Sequence, residues 1–249
     1  MIEVEGVSHF FQNASGRVEV LDRVGFAVEK GSFTSIVGPS GCGKTTLLKI
    51  IASLLEPSGG AVKIDGTPSR RRLSEHPFGF VFQEPALLPW ATVLKNIQLP
   101  GEILGIRAAV DRAAGLVELV GLKGFENARP HELSGGMKAR VALARALSFH
   151  PAILLMDEPF GNLDELTRDA MNFELMNICR EIETTVLFVT HNISEAVLLS
   201  DQVVVLSGRP ARAKKAVRVD FPRPRDAGLR RTPEFVKKVE DLREVLLGA

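Results

Sequence analysis

Residues 38–45 read Gly38-Pro39-Ser40-Gly41-Cys42-Gly43-Lys44-Thr45, set between an apolar run, Phe33 to Val37, and a helix-like run, Thr46 to Leu55. Several backbone N–H groups can converge on one anion only where the chain turns tightly without side-chain clashes. The three glycines allow that turn, and the start of the following helix adds positive potential. The pattern therefore predicts a strand, a phosphate-binding loop and a helix in succession. Gly38, Pro39, Ser40, Gly41, Cys42, Gly43, Lys44, Thr45 and Thr46 would surround a triphosphate, with Lys44 on its β- and γ-phosphates and the Thr45 hydroxyl on Mg²⁺. A bare match of this kind arises by chance in roughly one per cent of chains of this length, and the strand-loop-helix setting lowers that further.

A chain of 249 residues can bury one large α/β core or a core with a subdomain. Its 31 Lys+Arg against 30 Asp+Glu give a net charge of +1, so nothing global points to a nucleic-acid partner. Positive charge is concentrated from Arg209 to Arg225, read as a solvated strand and loop, with attraction to anionic headgroups or a partner as the other reading. Cys42 and Cys179 are too few for a disulfide framework and lack metal-ligand spacing, which suits a reducing cytosol. No run approaches the roughly eighteen apolar residues of a membrane span, and the first residues lack a secretion-signal pattern.

The opening segments Ile2 to Val7, Val18 to Leu21 and Val24 to Val28 predict an antiparallel sheet, with Asn13, Ser15 and Gly16 turning between them. Ala61 to Ile64 and Phe78 to Phe82 are further strands. From Pro89 to His150 the apolar spacing becomes helical over Val93 to Leu104, Val110 to Val120 and Gly136 to Ser148. The short apolar runs Ile153 to Met156 and Val186 to Val189 have the character of buried parallel strands, separated by a helix from Glu165 to Glu183. Val203 to Leu206 is a late strand and Pro233 to Leu247 a terminal helix. The expected fold is α/β: a phosphate-loop core with a mostly parallel sheet, an N-terminal antiparallel part and a helical subdomain. Its expected segments are 1–88, 89–150, 151–208 and 209–249.

Asp157-Glu158 follows an apolar strand, and carboxylates delivered at a strand's carboxyl end lie where open α/β sheets bind ligands. Asp157 fits a direct or water-mediated hold on Mg²⁺, and Glu158 the polarisation of an attacking water. Leu133-Ser134-Gly135-Gly136 opens a helix with a hydroxyl and bare backbone N–H groups, either an ordinary N-cap or a second anion site.

In order along the chain, the phosphate loop, Gln83, Leu133 to Gly136, Ile153 to Glu158, Gly161-Asn162-Leu163-Asp164 and His191 resemble the ATP-binding subunit of ABC transporters over nearly the whole sequence. The resemblance implies that Gln83 touches Mg²⁺ or the attacking water, and that Ser134, Gly135 and Gly136 meet the γ-phosphate held by another copy's loop. Two chains would thus sandwich two ATP molecules. Asp164 would lie at that interface and His191 would contact the γ-phosphate. Phe11 matches the aromatic residue that stacks on adenine, with Phe10 its competitor and core packing the other reading of either. Met137 departs from the family's usual glutamine.

A narrower resemblance, to importers of nitrate, sulfonates and taurine, rests on Phe82 to Trp90 with Asn96, on Ser134 to Met137, and on Phe221-Pro222-Arg223-Pro224-Arg225. It implies a cytoplasmic, peripheral ATPase that partners integral membrane permeases and, indirectly, a solute-binding protein. Trp90 would face a permease helix or, alternatively, pack inside the subdomain. The competing functions are a soluble ABC-type ATPase outside transport and a small-molecule kinase, which leaves Ser134 and Asp164 unexplained.

Overall fold

The computed structural model describes residues 1–13, 16–75, 77–182 and 184–248, with backbone alone at 180–182. Ser15, expected in a turn, and Glu183, expected to end a helix, lie outside the described residues. The strands are β1 (Ile2–Asn13), β2 (Gly16–Val28), β3 (Phe33–Val37), β4 (Gly59–Ile64), β5 (Thr67–Pro68), β6 (Gly79–Val81), β7 (Ile153–Asp157), β8 (Thr185–Thr190), β9 (Gln202–Leu206) and β10 (Ala213–Arg218). The helices are α1 (Lys44–Ile51), α2 (Ser69–Glu75), α3 (Val93–Leu104), α4 (Arg107–Leu119), α5 (Gly135–Leu147), α6 (Glu165–Ile182), α7 (Ile193–Leu199) and α8 (Pro233–Leu247). Among the described residues, no helix is long and apolar enough to cross a membrane.

Two compact units form, Met1–His76 with Thr185–Ala249, and Pro77–Thr184. In the first, β3 lies between β8 and β9, parallel to both, and β10 closes the edge antiparallel to β9. Every residue of β3 and β8 is buried, as expected of parallel strands covered on both faces. Phe188 on β8 is fully buried and packs against Phe33 on β3 with ring centroids 5.8 Å apart. A separate antiparallel sheet runs in the order β2-β1-β4-β5.

The expected opening strands prove to be one long hairpin, and its register shifts between Val7 and Phe10 place Val20 and Leu21 both inward. Two adjacent residues on one face cannot be read from strict alternation, which is why the sequence shows the strands in pieces.

In the second unit β6 and β7 pair in parallel, β7 is buried throughout, α5 packs on β6, and α3 and α4 pack on each other and on α5. Thr92 caps α3 by accepting a hydrogen bond from the Lys95 N–H, and Gly105 ends it in the left-handed region at φ 67°. Gly79 is required by close approach: an added Cβ would stand 2.7 Å from the Ala146 carbonyl oxygen on α5.

The basic stretch before α8 folds as β10 and a loop whose cations are largely engaged within the chain. Arg212 pairs with Asp22, Arg218 with Glu29 and Arg223 with Asp201, and the Lys214 ammonium donates to the Val245 and Leu246 carbonyls at the end of α8.

Replacing Phe188 with Ala removes a fully buried ring from β8, a change that costs about 3–5 kcal/mol. The urea midpoint should fall substantially by circular dichroism. An unchanged midpoint would contradict the placement of β8 in the core.

Candidate functional site

The parallel register of the first unit sets the site. Val37 is paired with Thr190, so the next residues, Gly38 and His191, leave neighbouring strands at the same sheet edge. Gly38 opens the phosphate loop and Lys44 begins α1. The Lys44 side chain, 5% exposed, donates to the Gly38 and Pro39 carbonyls at 3.0 and 3.2 Å, so the loop is already wrapped around its own cation. Gly43 has φ 120° and an added Cβ would meet Val20 Cγ1 at 2.7 Å; a side chain there would push the loop off the hairpin. The Cys42 thiol is buried beneath the loop. Pro39, Ser40 and Gly41 are exposed, while Thr45 and Thr46 are half-buried in the first turn of α1.

The same hairpin separates the two candidate aromatics. Leu21, which reaches toward Gly43, is paired with His9, and antiparallel partners share a face. Phe11 lies two residues beyond His9 and so shares that face; its ring meets His9 edge-on at 4.7 Å and is 44% exposed. Phe10 points to the other face, beneath the Arg17 guanidinium at 3.8 Å. The register thus brings Phe11, and not Phe10, to the loop side of the hairpin.

In the second unit Asp157 is the last residue of β7 and only 4% exposed. Glu158 follows with φ 43°, a left-handed conformation that costs a non-glycine residue energy and turns the chain sharply out of the strand. The Gly161 N–H donates to the Glu158 carbonyl at 3.0 Å and closes that turn. Asp164 is exposed and caps α6 by accepting from the Thr167 N–H at 3.0 Å; hydrogen bonding to Thr167 holds its carboxyl below the usual range. Ser134 caps α5 by accepting from the Met137 N–H at 3.3 Å, and Gly135 follows it on the exposed surface. Gly136 faces the first turn of α6 so closely that a Cβ would meet Thr167 Cγ2 at 3.0 Å. The serine-glycine helix start and the Asp164 loop are therefore packed together.

Gln83 is exposed just beyond β6. Asn96, fully buried on α3, organises the loop after it: its amide donates to the Leu88, Ala91 and Thr92 carbonyls, and its oxygen accepts from the Leu88 N–H at 2.8 Å. The sequence marks Asn96 only as part of a pattern. A buried side-chain amide just inside an N-cap was the signal for this role. Trp90 ends the loop and is 72% exposed, which corrects the reading of a subdomain core aromatic.

The family model described as ABC transporter matches residues 21–161. An uncharacterised ABC transporter ATP-binding protein of Methanocaldococcus jannaschii is 45% identical over 240 residues, covering 96% of this chain and 89% of its own. The aliphatic sulfonates import ATP-binding protein SsuB of Bacillus cereus is 43% identical, covering 96% of this chain and 94% of its own. The taurine import ATP-binding protein TauB of Rhizobium johnstonii is 42% identical, covering 99% and 96%. Among solved structures, a dimeric bacterial ABC transporter cassette superposes with TM-score 0.78 at 32% identity, covering 89% of this chain and all of that one. The post-hydrolysis dimer of that cassette, bound to ADP and Pi, superposes equally well at 31% identity.

Stacking of an aromatic ring on a base contributes about 1–3 kcal/mol. Phe11→Ala should therefore weaken a fluorescent ATP analogue about tenfold or more while leaving inorganic tripolyphosphate competition unchanged, and Phe10→Ala should change neither. Equal losses for the two variants would contradict the face assignment.

Proposed function

The chain belongs to the ABC transporter family as an ATP-binding cassette with ATPase activity, and we propose that it is the energy-coupling ATPase of an import system. Two copies close on two ATP molecules, hydrolysis reopens them, and separate membrane permeases convert the motion into solute uptake at the cytoplasmic face. The cargo is a small anion such as a sulfonate, taurine or nitrate, delivered by a solute-binding protein. The observation that carries this reading is likeness along nearly the whole chain to the sulfonate and taurine import proteins. Partnership with a permease draws support from an apolar groove of about 370 Å³ in the second unit, lined by Phe80, Phe82, Pro100, Ile103 and Leu104 among others, with exposed Trp90 in the same unit.

Within each site Lys44 balances the β- and γ-phosphates, assisted by the backbone N–H groups of residues 40–46. Thr45, Gln83 and Asp157 would hold Mg²⁺: hydroxyl, amide and carboxylate oxygens are the hard donors it takes, and Asp157 stands buried at a strand end. When bound, the cation neutralises phosphate charge. Glu158 accepts the proton of the attacking water and His191 orients the γ-phosphate and water. Ser134, Gly135 and Gly136 meet the γ-phosphate on the loop of the second copy, with Asp164 at the interface between them.

Replacing Glu158 with Gln keeps shape but removes the proton acceptor, so hydrolysis should fall by roughly a hundredfold or more. The variant should form a stable dimer on adding Mg-ATP, measured by light scattering, and Lys44→Ala should neither hydrolyse ATP nor dimerise. A Glu158→Gln chain that remains monomeric with saturating ATP would contradict the sandwich. Affinity-tagged chain purified from detergent-solubilised membranes of its own cells should retain an integral membrane protein; recovery of a soluble partner alone would contradict the import role.

A further inference from the structure

The arginines of the Phe221-Pro222-Arg223-Pro224-Arg225 stretch carry a role that the nucleotide chemistry leaves unused. Arg225 is the most deeply placed charge of the basic segment, its side chain 1% exposed. Its Nη1 donates to the carbonyls of Val197, Leu198 and Ser200 at 3.2, 2.8 and 2.8 Å. Nη2 donates to Val219 and Phe221 at 3.3 and 3.0 Å, and Nε to Phe221 at 3.2 Å. Arg223 Nη2 takes the remaining carbonyl, Leu199, at 2.6 Å, and its Nε pairs with Asp201. Four consecutive carbonyls at the end of α7, which lack intrahelical donors, are thus held by two guanidinium groups at the helix's negative pole. Burial pulls the Arg225 guanidinium down to about 10, which leaves it charged at neutral pH.

The other end of α7 has no slack. His191 is the single residue between Thr190, the last of β8, and Asn192, the N-cap of α7. The Asn192 N–H donates to Thr190 Oγ1 at 3.0 Å, its side chain accepts from the Glu195 N–H at 3.1 Å, and the Thr190 hydroxyl is bonded to the buried Glu195 carboxylate. With one residue joining strand and cap, a shift of α7 must be absorbed at His191. The helix is two turns long, so the clamped carbonyls lie only about 10 Å away along the axis.

We propose that Arg225, supported by Arg223, is a positioning residue for His191, fixing the C-terminal end of α7 so that the histidine is held at the phosphate edge of the sheet. This rests on the reading of His191 as the γ-phosphate residue. Lys cannot replace Arg225, because one ammonium on a flexible stem cannot span carbonyls on both sides of a planar fork.

The test is a double-substitution cycle on the full chain, with ATP affinity and single-turnover hydrolysis measured separately. Arg225→Ala and Arg225→Lys should each lower the hydrolysis rate by roughly ten- to a hundredfold, the scale of a misplaced group, with ATP affinity within about twofold. In a His191→Ala background the same substitutions should cost nothing further. Equal, additive losses in both backgrounds would overturn the proposal while leaving His191 its role; full activity of His191→Ala alone would overturn both. If Arg225→Ala fails to fold, Arg223→Ala, which removes one carbonyl contact and one partly exposed pair, carries the same cycle at smaller amplitude. Additivity there overturns the proposal equally.

Discussion

Holding a triphosphate requires donors that cannot turn away from it, and the structure depends on how residues 38–45 satisfy that demand. The loop is pressed against the hairpin at Gly43, where no Cβ fits, and folded around the Lys44 ammonium. A cation that already bonds two loop carbonyls has little side-chain entropy left to lose when phosphate arrives. The buried strand β3 fixes where the loop begins, and its pairing with β8 brings Gly38 and His191 to one edge. The core of the first unit is thereby also the positioning device for its chemistry.

The second unit follows a related logic with different parts. A fully buried strand delivers Asp157, and the left-handed turn at Glu158 changes the chain's direction immediately afterwards. Gly136 and Thr167 then bring the starts of α5 and α6 into contact, so the serine-glycine helix start and the Asp164 cap are placed as one piece. A displacement of either helix would be felt by both. That coupling suits residues proposed to read a phosphate belonging to another copy.

Much of this was legible because short apolar runs flanking a motif are unambiguous: β3, β7 and β8 all lie where Phe33 to Val37, Ile153 to Met156 and Val186 to Val189 placed them. Alternation failed in the hairpin, where the bulge at Val20 and Leu21 changes the phase, so Phe10 and Phe11 could not be told apart without the register. Helix α2 carries too few apolar residues for its periodicity to show. Arg225 was illegible for another reason. A run of cations reads as solvent-facing, and only tertiary contact reveals that one of them is buried on helix-end carbonyls.

The central claim is that each ATP site is completed by a second copy, with Ser134 of one chain serving the phosphate loop of the other. The most direct measurement is single-turnover hydrolysis by a purified heterodimer of a Ser134→Arg chain and a Lys44→Ala chain. If Ser134 acts across the interface, both lesions fall in one site and the other is intact, so up to one ATP should be cleaved per heterodimer. If it acts within its own chain, each site carries one lesion, and complete absence of hydrolysis would contradict the account.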